Sequence, residues 1–341
     1  MQSSNRRTFA HAAALALTAG LSAALALGFL GAWHPALDSL AHFRAHLAVL
    51  LALTALPLLV LRYRAYALLA AAFGLAALST TLPAGAFGLG RVEAAFPLDQ
   101  NQPVYKLIQL NLYHSNQTPN EVLSMIARER PDVVTFEEVS PMWDGKLELL
   151  RAAYPYQLNC REFFIGVAIL SRRPFAGETA TRCYDQGSLA VAKIDFAGKV
   201  VQVAALHLGW PWPFDQAERI DQVETGLTEI GDTALLGGDF NATPWSASPA
   251  RVEKIAGMSP FDGIGPTWLP LGLPRALQFA GLQIDHILSK GNIDLRSAKR
   301  LAPIGSDHLP VCVEFSLRPK ADNSPPAPVT TVLLAPIHSG A

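Results

Sequence analysis

The sequence predicts an α/β sandwich with mixed β-sheets, carried behind an N-terminal membrane region. Three observations lead there. Charge is distributed unevenly along the 341 residues. Short β-rich runs alternate with helical ones only in the later part of the chain. Polar residues of catalytic type close several of those runs, where loops at a sheet rim build sites.

Half of the residues are hydrophobic, 16% are charged and the net charge is −1. With a mean hydropathy of +0.23, the chain is too apolar to be disordered and rather apolar for a purely soluble protein. Residues 1–98 hold six Lys+Arg and two Asp+Glu; the rest hold 21 and 26, a net −5. The later part therefore lacks the basic footprint of a general nucleic-acid binder. Three cysteines, Cys160, Cys183 and Cys312, exclude a disulfide-dense scaffold and a four-cysteine zinc site.

Uncharged stretches at 8–37, 45–61 and 65–90 are the membrane candidates. A spanning helix needs about 20 mostly apolar residues, with a range of about 17–25. The second stretch sits at the short limit and contains Pro57, which membranes tolerate better than water does. We expect spans at 8–33, 45–61 and 65–83 within a membrane region of 1–98. Arg6, Arg7, Arg62 and Arg64 place the N-terminus and the second connection in the cytoplasm, whereas the first connection has Arg44 offset by Asp38. Three spans then leave residues 99–317 on the periplasmic or outer side of the inner (plasma) membrane; two would leave them inside. The run Asn5-Arg6-Arg7-Thr8-Phe9 also fits a twin-arginine export signal, which gives the same compartment. An oxidising compartment permits one disulfide, Cys160–Cys183, with Cys312 buried; three free thiols are the equal alternative.

Beyond the loop at 97–103, strands are expected at 104–112, 132–136, 164–171, 189–196, 200–207, 234–237, 283–288 and 310–315. Helices are expected at 119–129, 141–153 and 215–230, the last with Ile220, Val223, Leu227 and Ile230 on one side. Residues 318–341 read as a disordered tail.

The strand-end clusters are Asn111; Glu137-Glu138; His207; Asp239-Phe240-Asn241; and Asp285-His286 with Ser306-Asp307-His308. Singly, each is an ordinary cap or turn former. Together they make a carboxylate and amide set that repels itself unless a hard cation such as Mg²⁺ or Mn²⁺ is present. Histidines beside such a set suit proton transfer or an anionic oxygen. The combination describes metal-assisted attack of water on a phosphate ester. Trp210, Trp212 and Phe214 follow His207 and either clasp substrate or pack loops; Trp245 and Trp268 read as packing residues. Arg172 and Arg173 read as a solvated turn.

Gly238-Asp239-Phe240-Asn241, Ile284-Asp285-His286 and Ser306-Asp307-His308 resemble the endonuclease/exonuclease/phosphatase superfamily, as a membrane-anchored bacterial-type member. The likeness runs over about 104–317, supported by Asn111, Phe136-Glu137-Glu138-Val139, 166–171 and Leu206-His207. It implies the deoxyribonuclease-I-like fold, a four-layer α/β sandwich of two mixed sheets flanked by helices. It implies a metal site at Asn111 and Glu138 with Asp307 nearby, and Asp239 acting on the attacking water. It further implies Asn241 on the phosphate, His308 on the scissile phosphate paired with Asp285, and His207 as general acid or phosphate ligand. The family usually has Gln where Glu137 stands, which adds negative charge beside the metal site.

The function expected is a membrane-anchored, Mg²⁺- or Mn²⁺-dependent phosphodiesterase. Its substrate is a phospholipid head group or nucleic acid, and no protein partner is evident. A catalytically inactive membrane-anchored binding domain is the alternative of a different class.

Overall fold

A computed structural model describes residues 2–82 and 102–318. The tail expected at 318–341 falls, apart from Arg318, outside the described residues.

The N-terminal region is helical: α1 (Gln2–Gly28), α2 (Pro35–Ala41), α3 (Arg44–Val60) and α4 (Arg64–Ser79). Among the described residues, only Thr8–Gly28 is by itself a helix long and apolar enough to cross a bilayer; α2 and α3 reach that length as a pair bent by 63°. Helix α4 is apolar but shorter, ending before the expected 83. Small residues let α3 and α4 pack closely. A Cβ on Gly74 would lie 2.7 Å from the carbonyl oxygen of Ala48. The outward faces carry Leu53, Leu56, Leu68, Leu69 and Leu75, all exposed.

The rest forms two six-stranded sheets. The first has the order β11 (Ile293–Arg300), β12 (Val311–Leu317), β1 (Tyr105–Asn111), β2 (Val133–Val139), β4 (Gly166–Ser171), β3 (Tyr156–Cys160). The second runs β5 (Thr181–Tyr184), β6 (Leu189–Phe196), β7 (Lys199–His207), β8 (Ala234–Asp239), β10 (Asp285–Lys290), β9 (Ser259–Pro260). Each sheet contains one parallel pair, β1–β2 and β7–β8, and is otherwise antiparallel. A parallel pair needs a crossover. Helix α5 (Pro119–Glu129) supplies the first and α7 (Gln216–Thr228) the second.

Three apolar layers follow. Leu107, Ile169, Val203, Leu235 and Phe315 fill the space between the sheets. Val122, Met125 and Ile126 of α5, and Trp143 of α6 (Pro141–Glu148), cover the first sheet. Ile220, Val223 and Leu227 of α7, with Val252 of α8 (Ala247–Ala256), cover the second. This is the expected four-layer arrangement. The polar strand ends gather at one rim because β1, β2, β7 and β8 all run toward it.

Strands β3, β5 and β11 and helix α8 were not expected from sequence. The three strands are half-exposed and mix polar with apolar residues, so their period-2 signal is weak. Cys160 of β3 and Cys183 of β5 form a disulfide with Cα atoms 5.5 Å apart, stitching an edge of one sheet to an edge of the other. Cys312 is free and buried. Closing 23 residues of sequence contributes about 3 kcal/mol in the chain-entropy description. Dithiothreitol, or Cys160→Ser, is therefore expected to lower the thermal unfolding midpoint by about 6–12 °C. An unchanged midpoint would mean that the link adds nothing to stability.

Candidate active site

Asn111 ends β1, and its side-chain amide links the two sheets. Nδ2 donates to Glu138 Oε1 (3.1 Å) and to Asp239 Oδ2 (2.9 Å), while Oδ1 accepts from the Tyr113 N–H. Glu138 reaches the rim through a bulge: between Phe136 and Val139 the pairing of β2 with β4 slips. The bulge sends Glu137 and Glu138 to different places. Glu138 turns into the cleft with φ 54°, and Asn241 adopts φ 49°. Two non-glycine residues in the left-handed region at one rim are strain of about 1–3 kcal/mol each, held where chemistry is expected.

Glu138 Oε2 accepts from the backbone N–H of His114 (2.9 Å) and lies 2.7 Å from its Nδ1. Burial alone would raise the pKa of this carboxyl; His207 and the hydrogen bonds from His114 and Asn111 outweigh it and hold the pKa at about 2. Glu137 is fully buried between the sheets, where Gln109 Nε2 donates to it and also to Asp285 Oδ1. Burial, then the nearby Asp285, pushes Glu137 well above the carboxylate range. Its surroundings therefore favour the neutral form over the negative charge expected beside the metal site, because a charge there would have no water to solvate it.

On the second sheet, Asp239 sits between His207 and Asp285 in register. Asp239 Oδ1 accepts from the Asn241 N–H (2.8 Å). Oδ2 lies 3.6 Å from His308 Nε2 and 3.8 Å from His207 Nε2. Asp285 Oδ2 is 2.8 Å from His308 Nδ1, which fixes the imidazole with its other nitrogen toward Asp239. The Ser306 hydroxyl donates to the Asn111 carbonyl and accepts from the His308 N–H, clipping this loop to β1. Asn111, Glu138, Asp239, Asp285 and His308 are thus joined through hydrogen bonds or close approaches, with His207 and Asn241 beside Asp239. Asp307 stands at the edge. Its Oδ2 accepts from the Trp268 indole (3.0 Å), and its Oδ1 is buried without a partner.

His286 is outside this group. It stacks on Phe240 at 4.6 Å, its Nε2 lies 2.7 Å from the Ala242 carbonyl oxygen, and burial lowers it to about 4. It is a neutral prop under the Asp239–Asn241 turn. His114 and Gln109 are site residues that sequence reasoning did not reach, and Trp268, read there as a packing residue, holds Asp307. Only the position of His114, three residues after Asn111, hinted at its place. Arg172 and Arg173 follow the distal end of β4, away from the rim, and Arg173 is paired with Asp132.

The donors fit a hard divalent cation. They are mostly oxygens, Asp307 Oδ1 is orphaned, and Asp239, Asp285 and His308 each place a possible ligand atom within 4.8 Å of the others. His308 Nδ1 is engaged by Asp285, so the carboxylates and Asn111 are the better holders.

The charges predict a pH response of the metal-free chain. Burial would lower His308, but Asp285 and Asp239 raise it to about 10, above its ordinary 6.5. Its stabilisation is full below pH ~6.5 and lost toward ~10. Burial raises Asp239 to about 7, so ionising it costs stability as pH climbs from ~4 through ~7. Both signs agree. The unfolding midpoint should fall between pH 6 and 10, and less steeply with Mg²⁺ present. A midpoint that rises over this range would contradict the assigned protonation states.

The open space before these residues encloses about 1120 Å³, lined by His114, Glu138, His207 and Asn241 and walled by Phe164 and Trp210. Arg219 also faces it but is bound to Asp185 and Asp215.

Residues 108–308 match the model of the Endonuclease/Exonuclease/phosphatase family. The chain belongs to that family. Its members hydrolyse phosphate ester bonds, and this chain is a hydrolase of that class. Family enzymes depend on divalent metal, in keeping with the donor set described. No curated protein matches the sequence. Solved structures share the fold. The endonuclease/exonuclease/phosphatase protein of Bacteroides vulgatus superposes with TM-score 0.54 at 16% identity, over 64% of this chain and 100% of that one. The family protein of Beutenbergia cavernae gives TM-score 0.50 at 20% identity, over 63% and 72%. D. rerio TDP2, complexed with single-strand DNA product, gives TM-score 0.50 at 17% identity, over 62% and 99%.

The catalytic rim also touches the N-terminal region. Asp38 accepts from the Ala247 and Ser248 N–H groups at the start of α8. The Trp245 indole donates to the Ala41 carbonyl (2.8 Å), and Ser39 Oγ donates to the Trp212 carbonyl (2.9 Å). Trp245 thus reaches the connector between α1 and α3.

Proposed function

We propose a membrane-anchored phosphodiesterase, with residues 1–98 as anchor and 99–317 as catalytic domain, acting on the phosphodiester of a lipid head group. One observation carries this reading. The loops that build the catalytic rim, around Trp212, Trp245 and Ala280, are the ones that meet the connector and the first turn of α3. The site therefore sits at the level of the helix ends.

Three further features support the anchor and its side. The exposed leucines of α3 and α4 form a face that water would penalise and lipid would not. Arg62 and Arg64 lie at the end of the helices remote from the domain, as a cytoplasmic turn requires. The disulfide suits an oxidising compartment such as the periplasm or exterior.

Each residue has a task in this reading. Glu138, Asn111 and Asp307 would hold Mg²⁺ or Mn²⁺ together with the Asp239 side of the site. When bound, the ion offsets charge on the phosphoryl oxygens. Asp239, flanked by both histidines, orients the attacking water and takes its proton. His308, kept protonated by Asp285, hydrogen-bonds a phosphoryl oxygen whose charge grows in the transition state. Burial lowers His207, which favours the neutral imidazole as a hydrogen-bond donor to the phosphate. Asn241 Nδ2 donates to the Leu208 carbonyl and has a second N–H for the phosphate.

Nucleic acid is the second reading, favoured by the DNA product held by D. rerio TDP2. Against it stand the net −5 of the later part and the paired Arg219. The test is a panel on the full-length chain with Mg²⁺ or Mn²⁺: phospholipid vesicles, single-stranded DNA and bis(p-nitrophenyl) phosphate. Head-group release from vesicles is expected. Faster cleavage of DNA, with steep salt dependence, would select the second reading. No hydrolysis and no metal binding would leave a binding domain.

A further inference from the structure

A second, apolar space lies next to the catalytic rim. It is a groove enclosing about 2010 Å³, part of it open to solvent. One wall is the domain-side end of the helical bundle, with Val49 and Leu50 of α3 and Leu78 of α4. The other wall belongs to the catalytic domain: Trp245, Phe279 and Leu282. Of its polar side chains, His46 of α3 is tied to the Ala280 carbonyl (2.8 Å), Ser79, Thr80 and Thr81 donate to carbonyls at the end of α4, and Asp262 and Gln283 complete the set. Phe279 is 76% exposed, and Leu271, Leu273 and Leu277 are also exposed on the same loop.

Water alone beside such a surface is unfavourable. The part of this space that a ligand can occupy, about 920 Å³, lies at the upper end of the roughly 300–1,000 Å³ of small-molecule pockets, which leaves room for an extended chain. Two residues of the catalytic-domain wall lead straight into chemistry. Trp245 follows Asn241 by one turn of chain, and Leu282 precedes Asp285 in the same way.

We infer that this groove takes an acyl chain of the lipid whose phosphodiester enters the catalytic cleft. This rests on the membrane-anchored reading and adds a binding site to it. The occupant follows from the walls. A groove half built from the ends of bilayer helices opens where acyl chains already are, and its lining matches their chemistry. The apolar loop 271–279 lies over the same level and would rest on the lipid surface. The aromatic residues place their rings at that boundary.

The experiment uses the full chain in phosphatidylcholine vesicles doped with a phospholipid bearing a photoactivatable diazirine in its acyl chain. Peptides are mapped after illumination. Label is expected in 244–252 and 262–283 as well as on α1. Ala280→Trp, and separately Val49→Trp, should cut label in 262–283 by at least about tenfold while label on α1 persists. Both substitutions are at exposed or groove-lining positions; the α1 label reports insertion, and a cooperative thermal unfolding transition reports a folded catalytic domain. Label confined to the lipid-facing sides of α1, α3 and α4 would overturn the assignment, leaving the groove to the chain that follows Leu82. Undiminished label in both variants would overturn it too. Labelling reads occupancy without turnover, so its loss rejects the groove alone. Absence of phosphodiester hydrolysis rejects the enzyme reading alone, and failure of the chain to float with vesicles rejects the anchor.

Discussion

Replacing His308 by alanine is expected to lower kcat/KM for bis(p-nitrophenyl) phosphate by about 10³-fold or more, with the fold intact. The imidazole is buried and held on both sides, by Asp285 at 2.8 Å and Asp239 at 3.6 Å. It is positioned before substrate arrives, so its hydrogen bond to a phosphoryl oxygen needs no reorganisation in the transition state. Alanine also leaves Asp285 and Asp239 without the cation between them. Two buried carboxylates that near each other will share a proton, which costs Asp239 its ability to take one from water. The loss should therefore fall mostly on kcat. Asp285→Asn separates the two effects: the imidazole stays, but it loses the partner that keeps it protonated. That variant should retain more activity than His308→Ala and move the alkaline limb of its pH profile to lower pH. If His308→Ala hydrolyses the ester at the wild-type rate, the site is wrongly assigned.

Much of this site was legible in sequence because its residues close strands. Asn111, His207 and Asp239 stand at the last positions of β1, β7 and β8, where an apolar run turns polar. Period-2 burial made strands such as Leu189–Phe196 readable to the residue, and Pro119 at the first turn marked α5. What was hidden depended on three dimensions. The bulge at Glu137–Glu138 decides which carboxyl is buried between the sheets and which faces the cleft, and no local signal announces it. Gln109 looks like one polar residue inside a strand, yet it joins Glu137 to Asp285, 176 positions away. Edge strands β3 and β5 are short and half-exposed, so their pairing through the disulfide was only one of two open alternatives. The contact of the rim with Asp38 and Ala41 joins segments some 200 residues apart, and nothing in either stretch points to the other.

Glu138→Gln is expected to raise the Mg²⁺ concentration needed for half-maximal activity by about 100-fold, with partial recovery at high Mn²⁺. The substitution is close to isosteric. Its carbonyl oxygen can still accept from Asn111 or from the His114 N–H, so the bulge has reason to persist. What goes is a negative charge from a site where ligand charge sets affinity for a hard ion. Glu138 is also the carboxylate whose ionised form the fold favours most clearly, at about 2, so the metal-free variant should lose some stability above pH ~4.5. The decisive readout does not need turnover. In the wild type, an ion present at about 100 times its dissociation constant stabilises the native state by about 2.7 kcal/mol and lifts the unfolding midpoint by several degrees. At the same concentration the variant, binding about 100-fold more weakly, should show a lift of less than about 0.5 kcal/mol. An equal metal-dependent shift in both proteins would remove Glu138 from the metal site and leave Asp239 and Asp307 as its carboxylates.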